Sequence, residues 1–518
     1  MSFPRTLRSL RQPLIWLIAA VCAGLAIASL PVPELALACL LLLGLITVAL
    51  AVCEPLIGLC FTLLIAPFAP LENIMLRLPL DSGQIMLGIT FAAWGLRGLY
   101  ERRLDLSGAR STIAVGLLVF VAVAGLSFFV ATSFELWARE TLKWVEVLLV
   151  CLIVSSEQDR RKVGLVVVAI LVSGMFQAGL GVYQFALRGE GPDEFAILGG
   201  RFYRAYGTFE QPNPFGGYMG LIWPFALGIG LYGAYSLWRK PRNTLDTATS
   251  ISPIVCGAAV IVAGLALTAL VLSWSRGAWL GAAAAGIAVL AVALRRPALS
   301  LSALIVVAGL AFALNAAGLL PQSVRARLTD FTQQFASFDV RGVNVNDANY
   351  SVIERLAHWQ AAQNMIVEHP WLGVGFGNYP AVYDRYRAMK WPNALGHAHN
   401  YYLNLWAETG LLGLAAYAGL WGVVIVRTLQ LALAATRSSF AAWLGVGLIG
   451  AWAHLSVHHL VDNLYVANTF ILIGAYLGLL NSAFARRPDI GVVASVTAGL
   501  DQGAQKFSTR FGGHRHRF

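Results

Sequence analysis

Long uninterrupted runs of apolar residues follow one another along the chain and are separated by short polar turns. About fourteen of them have the length, roughly 17–25 residues, that an α-helix needs to cross a bilayer. They begin near Pro13, Leu35, Pro55, Gly83, Thr112, Arg139, Val163, Phe215, Ile251, Gly277, Leu299, Thr409, Phe440 and Leu464. The apolar residues are continuous and do not alternate with polar ones, which favours helices over a β-barrel. We therefore predict an all-α polytopic bundle of about 12–14 transmembrane helices.

Three polar segments interrupt the apolar pattern, at residues 188–214, 273–277 and 321–408. The last is the only one long enough to form a small domain. Inside it, apolar residues recur at helical spacing: Val352, Leu356, Trp359 and Ile366. This spacing predicts an amphipathic helix that lies on the membrane surface or over a cavity.

The apolar and polar segments together divide the chain into three regions. Residues 1–200 are predicted to hold the N-terminal transmembrane helices. Residues 201–482 are predicted to form a second membrane region that includes the outer loop 321–408. Residues 483–518 are expected to be a disordered cytoplasmic tail.

Composition and charge support a membrane protein. The chain is 58% hydrophobic and only 12% charged, whereas soluble domains carry about 25% charged residues. Its net charge of +11 arises largely from arginines and lysines in alternate turns. By the positive-inside rule these turns face the cytoplasm. We expect both termini in the cytoplasm and the three polar segments outside; no basic, aromatic-rich polar domain suggests a nucleic-acid partner.

Two arginines on the predicted outer face are candidate anion ligands. Arg276 begins an apolar span directly after a short turn, and Arg204 lies in a loop that also contains Asn213. A planar guanidinium suits phosphate oxygens. Alternatively, Arg276 reaches for lipid headgroups, and Arg204 stabilises its loop through Glu210.

The densest polar cluster opens the apolar run that starts near residue 409. It contains His397, His399, Asn400, Asn404 and Glu408. The last three are spaced i, i+4, i+8 and would share one helix face. Polar residues that enter a membrane are functional candidates, although the histidines would also suit hydrogen bonding at the interface.

Two further groups allow other interpretations. His454, His458 and Asp462 also follow i, i+4, i+8 spacing and suggest a metal site, although hydrogen bonding between helices explains them more simply. A second group lies in one apolar span and suggests either internal ion pairs or an ion path: Glu140, Lys143 and Glu146.

Taken together, the motifs resemble those of the O-antigen ligase and polymerase superfamily. The resemblance rests on three stretches between Arg201 and Leu480: residues 204–213, residues 273–277, and residues 358–375 leading to 399–410. It implies a metal-independent inverting glycosyltransferase without a cofactor, acting at the outer face of the inner membrane. It also implies that Arg204 and Arg276 bind substrate and that His399 is catalytic.

The implied donor is a glycan on polyprenyl pyrophosphate, and the implied acceptor is a lipid or another glycan. Such chemistry needs positive charge for the departing pyrophosphate and a base for the acceptor hydroxyl. We expect Asn213, Asn400, Glu408 and His397 to help bind substrate, and His397 stays an alternative base. A polysaccharide polymerase, a bicarbonate-type or other solute transporter, and a non-catalytic scaffold for envelope assembly are the competing functions.

Overall fold

The structure, a computed structural model, describes residues 44–76, 80–101, 107–238, 252–296, 339–346, 349–434 and 439–485, with isolated positions between 298 and 318. The predicted first span and the tail from residue 486 lie outside the described residues.

Helices make up nearly all of the described chain. In chain order they are α1 (Gly44–Cys53), α2 (Pro55–Ile65), α3 (Ala69–Leu76), α4 (Ser82–Tyr100), α5 (Thr112–Gly125), α6 (Phe134–Ser156), α7 (Arg160–Ala186), α8 (Pro212–Trp238), α9 (Pro253–Leu272), α10 (Arg276–Leu294), α11 (Tyr350–Glu368), α12 (Tyr379–Tyr386), α13 (Tyr401–Ala434), α14 (Phe440–His458) and α15 (Thr469–Ala485). One short antiparallel hairpin pairs β1 (Ala196–Ile197) with β2 (Phe202–Tyr203).

Eight helical segments of the described chain are long and apolar enough to cross a bilayer. They are Pro55–Met75, Thr112–Val130, Arg160–Ala186, Pro212–Trp238, Pro253–Leu272, Arg276–Leu294, Tyr401–Leu433 and Phe440–His458. Many of their large apolar side chains are exposed, among them Phe129 and Ile261, as expected where lipid is the solvent. The prediction of an all-α multi-pass membrane protein is confirmed.

Helix α8 lies at the centre of the bundle and packs against α7, α9, α10 and α14. Small residues allow this close packing. The buried ring of His454 on α14 fits against Gly220 of α8 and Gly281 of α10, where any Cβ would collide with the imidazole. The ends of α8, α10 and α14 near this ring, called the outer ends after the orientation predicted above, are thereby fixed relative to one another.

Helix α13 is broken near its outer end. Gly410 has a φ of +65°, and a side chain there would collide with the backbone of Trp371. The loop beyond Trp371 fills the break, because the Val374 amide donates to the Ala407 carbonyl at 2.9 Å. The helix begins at Tyr401, earlier than the predicted span, so its first two turns belong to the outer domain.

The amphipathic helix predicted in the long outer segment is present as α11. Its apolar face, which includes Val352 and Leu356, packs with Trp391 in a small core of its own. Helix α11 also contacts α13. The outer domain is therefore a packed cap that lies against the membrane helices.

Candidate functional site

A cavity of about 110 Å³ lies where the outer cap meets the membrane bundle. Four segments that are distant in sequence form it: the loop before α8, the start of α10, the first turns of α11, and the turn after α14. Its walls are Arg204, Asn213, Ser275, Arg276, Gly277, Leu280, Ser351, Val352, Arg355, Leu356, Trp359, His458, Val461 and Asp462. Three predicted substrate ligands, Arg204, Asn213 and Arg276, therefore share one cavity.

Arg204 links the loop before α8 to the turn before α10. Its Nε donates to the Ser273 carbonyl at 2.9 Å, and its Nη2 donates to the Asn213 Oδ1 at 3.0 Å. The next amide, of Ala205, donates to the Leu272 carbonyl at 3.0 Å. These bonds fix the guanidinium beside the turn that carries Arg276.

Two buried glutamines hold the Arg204 loop in place, and sequence reasoning had not singled them out. The Gln184 Oε1 accepts from the amides of Tyr206 and Gly207, and its Nε2 donates to the Gly207 carbonyl. The Gln177 side chain bonds both the amide and the hydroxyl of Thr208. Each glutamine satisfies loop groups that would otherwise be buried without partners.

Arg276 and Arg355 converge on one residue of α11. The Arg276 Nη2 donates to the Ser351 Oγ at 3.2 Å. The Arg355 Nη1 donates to the Ser351 carbonyl at 2.8 Å, and its Nε donates to the Val461 carbonyl at 3.3 Å. The spacing that predicts this helix uses only its apolar positions, so the place of Arg355 in the cavity wall is known from the structure alone.

The cavity walls carry a net positive charge. Arg204, Arg276 and Arg355 contribute three positive charges, and Asp462 is the only carboxylate among the lining residues. Guanidinium groups match phosphate oxygens in geometry as well as charge. The cavity can therefore hold a dianionic group such as a pyrophosphate.

Both candidate histidines contact the one acidic wall of the cavity. The Asp462 Oδ1 lies 3.6 Å from the His399 Nδ1 and 4.0 Å from the His397 Nε2. The histidines are not themselves cavity walls. Asp462 therefore forms the border between the arginines on one side and the histidine pair on the other.

The loop that carries His399 has a constrained backbone. His399 has a φ of +52°, which is unusual for a residue other than glycine. The Asn404 Oδ1 accepts from the Ala398 amide at 2.9 Å, and the His397 Nδ1 accepts from the His399 amide at 3.1 Å. Both ring nitrogens of His399 are buried and form no hydrogen bond with any other described group.

A third histidine supports the pair. His358 of α11 lies with its ring edge-to-face against His399, at 5.5 Å between centroids, and stacks on Tyr383 at 4.9 Å. Its Nδ1 bonds the hydroxyl of Tyr379 at 2.9 Å. His358 therefore positions His399 and is itself fixed by the outer cap.

Burial and neighbouring charges set the protonation of this cluster. Burial, with the charge of His399, lowers the pKa of His397 to about 4, and burial also lowers the pKa of His358 to about 3. Burial alone would raise the pKa of Asp462, but His399, His397 and Arg355 outweigh it and hold the carboxyl well below its usual range. At neutral pH the cluster therefore contains an ionised carboxylate next to neutral His397 and His358.

The arrangement of possible metal ligands differs from the one that sequence spacing suggested. Ligand atoms of His397, His399 and Asp462 lie within 4.8 Å of one another, the one such group among the described residues. His454 and His458 instead contact each other, at 3.3 Å between Nε2 and Nδ1. Helix α14 ends at His458, so Asp462 does not continue its helical face.

Two other predicted ligands lie away from the cavity walls. Asn400 precedes the first turn of α13, where its Oδ1 accepts from the Leu403 amide at 3.1 Å. The Glu408 carboxylate is buried and accepts from the Tyr379 amide at 3.1 Å. Both contacts are structural, and a role of either residue in substrate binding stays a prediction.

Within the charged group of α6, Glu140 and Lys143 pair internally, as one of its two interpretations predicted, whereas among these described residues no ion pair joins Lys143 to Glu146. The Lys143 Nζ lies 2.6 Å from the Glu140 Oε2, and both side chains are largely buried.

Comparison with known proteins agrees with this site. Residues 259–418, which include Arg276, Arg355, His397 and His399, match the O-antigen ligase family. No curated protein matches the chain. The matched segment runs from α9 through the outer cap to the outer half of α13, and over this segment the multi-pass membrane protein is similar to the O-antigen ligase family.

Proposed function

We propose that the protein is a metal-independent inverting glycosyltransferase. It moves a glycan from a polyprenyl pyrophosphate carrier to a lipid or glycan acceptor on the extracytoplasmic face of the inner membrane, as O-antigen ligases do. The observation that carries this proposal is one cavity lined by three arginines and by Asp462, whose carboxylate lies 3.6 Å from the ring of His399 just outside the cavity wall.

The arginine side of the cavity suits the pyrophosphate. As the bond between the anomeric carbon and the phosphate oxygen breaks, negative charge grows on the leaving group. Arg204, Arg276 and Arg355 are held by hydrogen bonds, so little reorganisation is needed to stabilise that charge. A good leaving group stabilised in this way needs no general acid.

The histidine side suits the acceptor. As the acceptor hydroxyl attacks the anomeric carbon from the face opposite the pyrophosphate, His399 accepts its proton and the anomeric configuration inverts. The imidazolium that forms is stabilised by Asp462, at 3.6 Å. Asp462 thus orients and supports the base without bonding to substrate, a division of labour known from catalytic triads.

The carrier lipid can reach the cavity from the bilayer. Leu280 lines the cavity, belongs to the membrane-spanning helix α10 and is 49% exposed. A polyprenyl chain can therefore lie along the lipid-facing side of α10 while its pyrophosphate lies among the arginines.

Glycosyl transfer explains the site better than solute transport does. In transporters the binding groups lie near the bilayer midplane, whereas the cavity lies at the outer end of the bundle, and the Glu140–Lys143 pair is satisfied internally. The polymerase alternative shares every group of this site and differs only in its acceptor.

The decisive experiment reconstitutes transfer with purified protein, a polyprenyl-pyrophosphate-linked glycan extracted from the producing cells, and acceptor from cells that lack the protein. Arg276→Ala and Arg355→Ala should each abolish or strongly reduce transfer. The exposed arginines Arg201 and Arg341 provide matched alanine controls. No transfer by the wild type, or equal losses in the controls, would disprove the proposal.

The catalytic assignment has a separate test. His399→Ala should reduce turnover by about 10²–10⁴-fold, the usual contribution of a positioned base, with donor binding retained. EDTA should have no effect. Inhibition by EDTA would instead indicate a metal held by His397, His399 and Asp462, and loss of donor binding would make His397 the candidate base.

A further inference from the structure

A second cavity lies on the outer cap. Its volume is about 220 Å³, and it lies between the first turns of α11 and the segment that follows α12. Its walls are Val345, Tyr350, Glu354, Lys390, Trp391, Pro392 and Asn393. None of these residues has a part in the proposed transfer.

The two cavities flank the same turns of one helix. Tyr350 and Glu354 line the outer cavity. The residues that follow them in the chain, Ser351 and Arg355, line the first cavity, which we call the arginine cavity. An α-helix with its side chains is about 10–12 Å wide. A molecule of several linked units can therefore occupy both cavities by passing over the start of α11.

The walls of the outer cavity combine an aromatic surface with hydroxyl-binding groups. The Tyr350 ring is 49% exposed, and its centroid lies 5.1 Å from that of Trp391. Glu354 offers acceptor oxygens, Lys390 offers donors, and Asn393 offers both. One negative and one positive charge leave the cavity without net charge, which does not suit a phosphate but suits a neutral polyhydroxy compound.

These walls are held in place before any ligand binds. The Trp391 amide donates to the Ala388 carbonyl at 2.9 Å, and the Tyr383 hydroxyl donates to the Trp391 carbonyl at 3.1 Å. On the other side of the cavity, the Asn349 Oδ1 accepts from the backbone amide of Asn346, and the Asn346 Oδ1 accepts from the backbone amide of Asn349. A preformed cavity loses little conformational freedom on binding.

From this geometry we infer that the outer cavity is a saccharide subsite, which binds sugar units of an oligosaccharide whose reacting end lies in the arginine cavity. The apolar face of a sugar ring would lie on Tyr350, and its hydroxyls would bond Glu354, Lys390 and Asn393. The inference rests on the proposed glycosyl transfer and extends it. The sugars belong either to the distal part of the donor glycan or to the acceptor.

Binding of free saccharides to the full-length protein in detergent tests the subsite without requiring transfer. One probe is the glycan released by mild acid from the polyprenyl carrier of the producing cells. The other is the saccharide released from acceptor lipids of cells that lack the protein. Saturation-transfer NMR gives the affinity of each probe for the wild type and for Tyr350→Ala and Glu354→Gln.

Glu354→Gln should weaken binding of one probe by about tenfold, since loss of a hydrogen bond to a charged group usually has an effect of that order. Tyr350→Ala should weaken binding of the same probe, because the apolar face of the sugar ring loses the aromatic surface on which it lies. The probe whose binding is weakened identifies the source of the sugars. Met389→Ala serves as the control, because Met389 is adjacent to the cavity in sequence, 94% exposed and not one of its walls. Arg276→Ala should abolish transfer yet leave binding of the free saccharide intact.

The outcomes separate the two proposals. If the wild type transfers glycan but Tyr350→Ala and Glu354→Gln bind both probes as the wild type does, the subsite is disproved and the proposed function stands. If the wild type binds a probe through these residues but transfers nothing, the proposed function fails and the subsite stands. If Met389→Ala weakened saccharide binding as much as the other variants do, the subsite would also be disproved, because the loss would then come from a general change in the structure of the cap.

Discussion

Replacing Asp462 by asparagine isolates the contribution of one charge to catalysis. The amide has nearly the shape of the carboxylate, so the turn after α14 should keep its structure, including the bond from the Asn463 amide to the Oδ1. What is lost is the negative charge 3.6 Å from the His399 ring. The variant therefore asks whether that charge supports the base.

The expected magnitude follows from the distance. Two unit charges about 4 Å apart attract by about 4 kcal/mol at an effective dielectric constant of about 20. The attraction arises only when His399 takes the proton, so it lowers the barrier and not the energy of the bound donor. Since about 1.36 kcal/mol corresponds to tenfold in rate, and the amide oxygen retains part of the attraction, we expect kcat to fall by about 10²–10³-fold.

The same variant should leave donor binding unchanged or improve it. Asp462 is the one negative wall of a cavity that would hold pyrophosphate, so its neutralisation removes a repulsion. This effect would not follow from a change in packing.

Steady-state transfer assays over a range of donor concentrations and pH would measure kcat and KM separately. Asp384→Asn is the matched control, since this carboxylate is exposed on the outer cap. A kcat above one tenth of the wild-type value would refute the reasoning. So would a loss of donor binding in proportion to the loss of rate, which would make Asp462 part of the donor site.

Other perturbations test Arg276, the glutamines that hold the Arg204 loop, the topology and the histidine cluster. Arg276→Lys should transfer far more slowly than the wild type, because lysine keeps the charge but loses the two-pronged geometry; near-normal rates would leave only a generic charge effect. Gln184→Ala should lower the free energy of unfolding by about 1–3 kcal/mol, since buried loop groups lose their partners; an unchanged melting temperature in detergent would contradict this. A reporter fused at Asn344 should lie outside the cytoplasm, and a cytoplasmic signal would contradict the proposed orientation. Acidification from pH 7 towards 4 should lower the hydrogen-exchange protection factors around His397, because folding lowers the pKa of His397 and His358 below the ordinary value of about 6.5, so stability present above that value is lost as pH falls; constant protection factors would argue against buried neutral rings.

The sequence predicted the features that depend on local periodicity. The spacing of Val352, Leu356 and Trp359 located α11, and the isolated position of Arg276 after a short turn marked the start of α10. Arg204 and Asn213 could be associated because they lie in one loop. Each of these inferences uses residues that are close in the chain.

The rest of the site depends on contacts between distant segments. Arg355 reaches the cavity only because α11 folds back over the turn at Val461, and no local pattern indicates that contact. Helical spacing groups Asp462 with His454 and His458. Helix α14 ends at His458, however, so the chain changes direction before it reaches Asp462. Asn400 directly precedes the first turn of α13, and its side chain accepts from the Leu403 amide, which the i, i+4 spacing alone does not indicate.

Because Leu280 is exposed at the cavity wall, the donor can approach by diffusion in the two dimensions of the membrane and not in the three dimensions of the aqueous phase. If the carrier lipid enters past this residue, enzyme and donor meet by diffusion within a plane, and the relevant concentration is the mole fraction of carrier in the membrane. Adding inert lipid to proteoliposomes at constant donor and protein should then slow transfer, although nothing in the aqueous phase has changed. A rate that follows only the bulk donor concentration would place the entrance on the aqueous side.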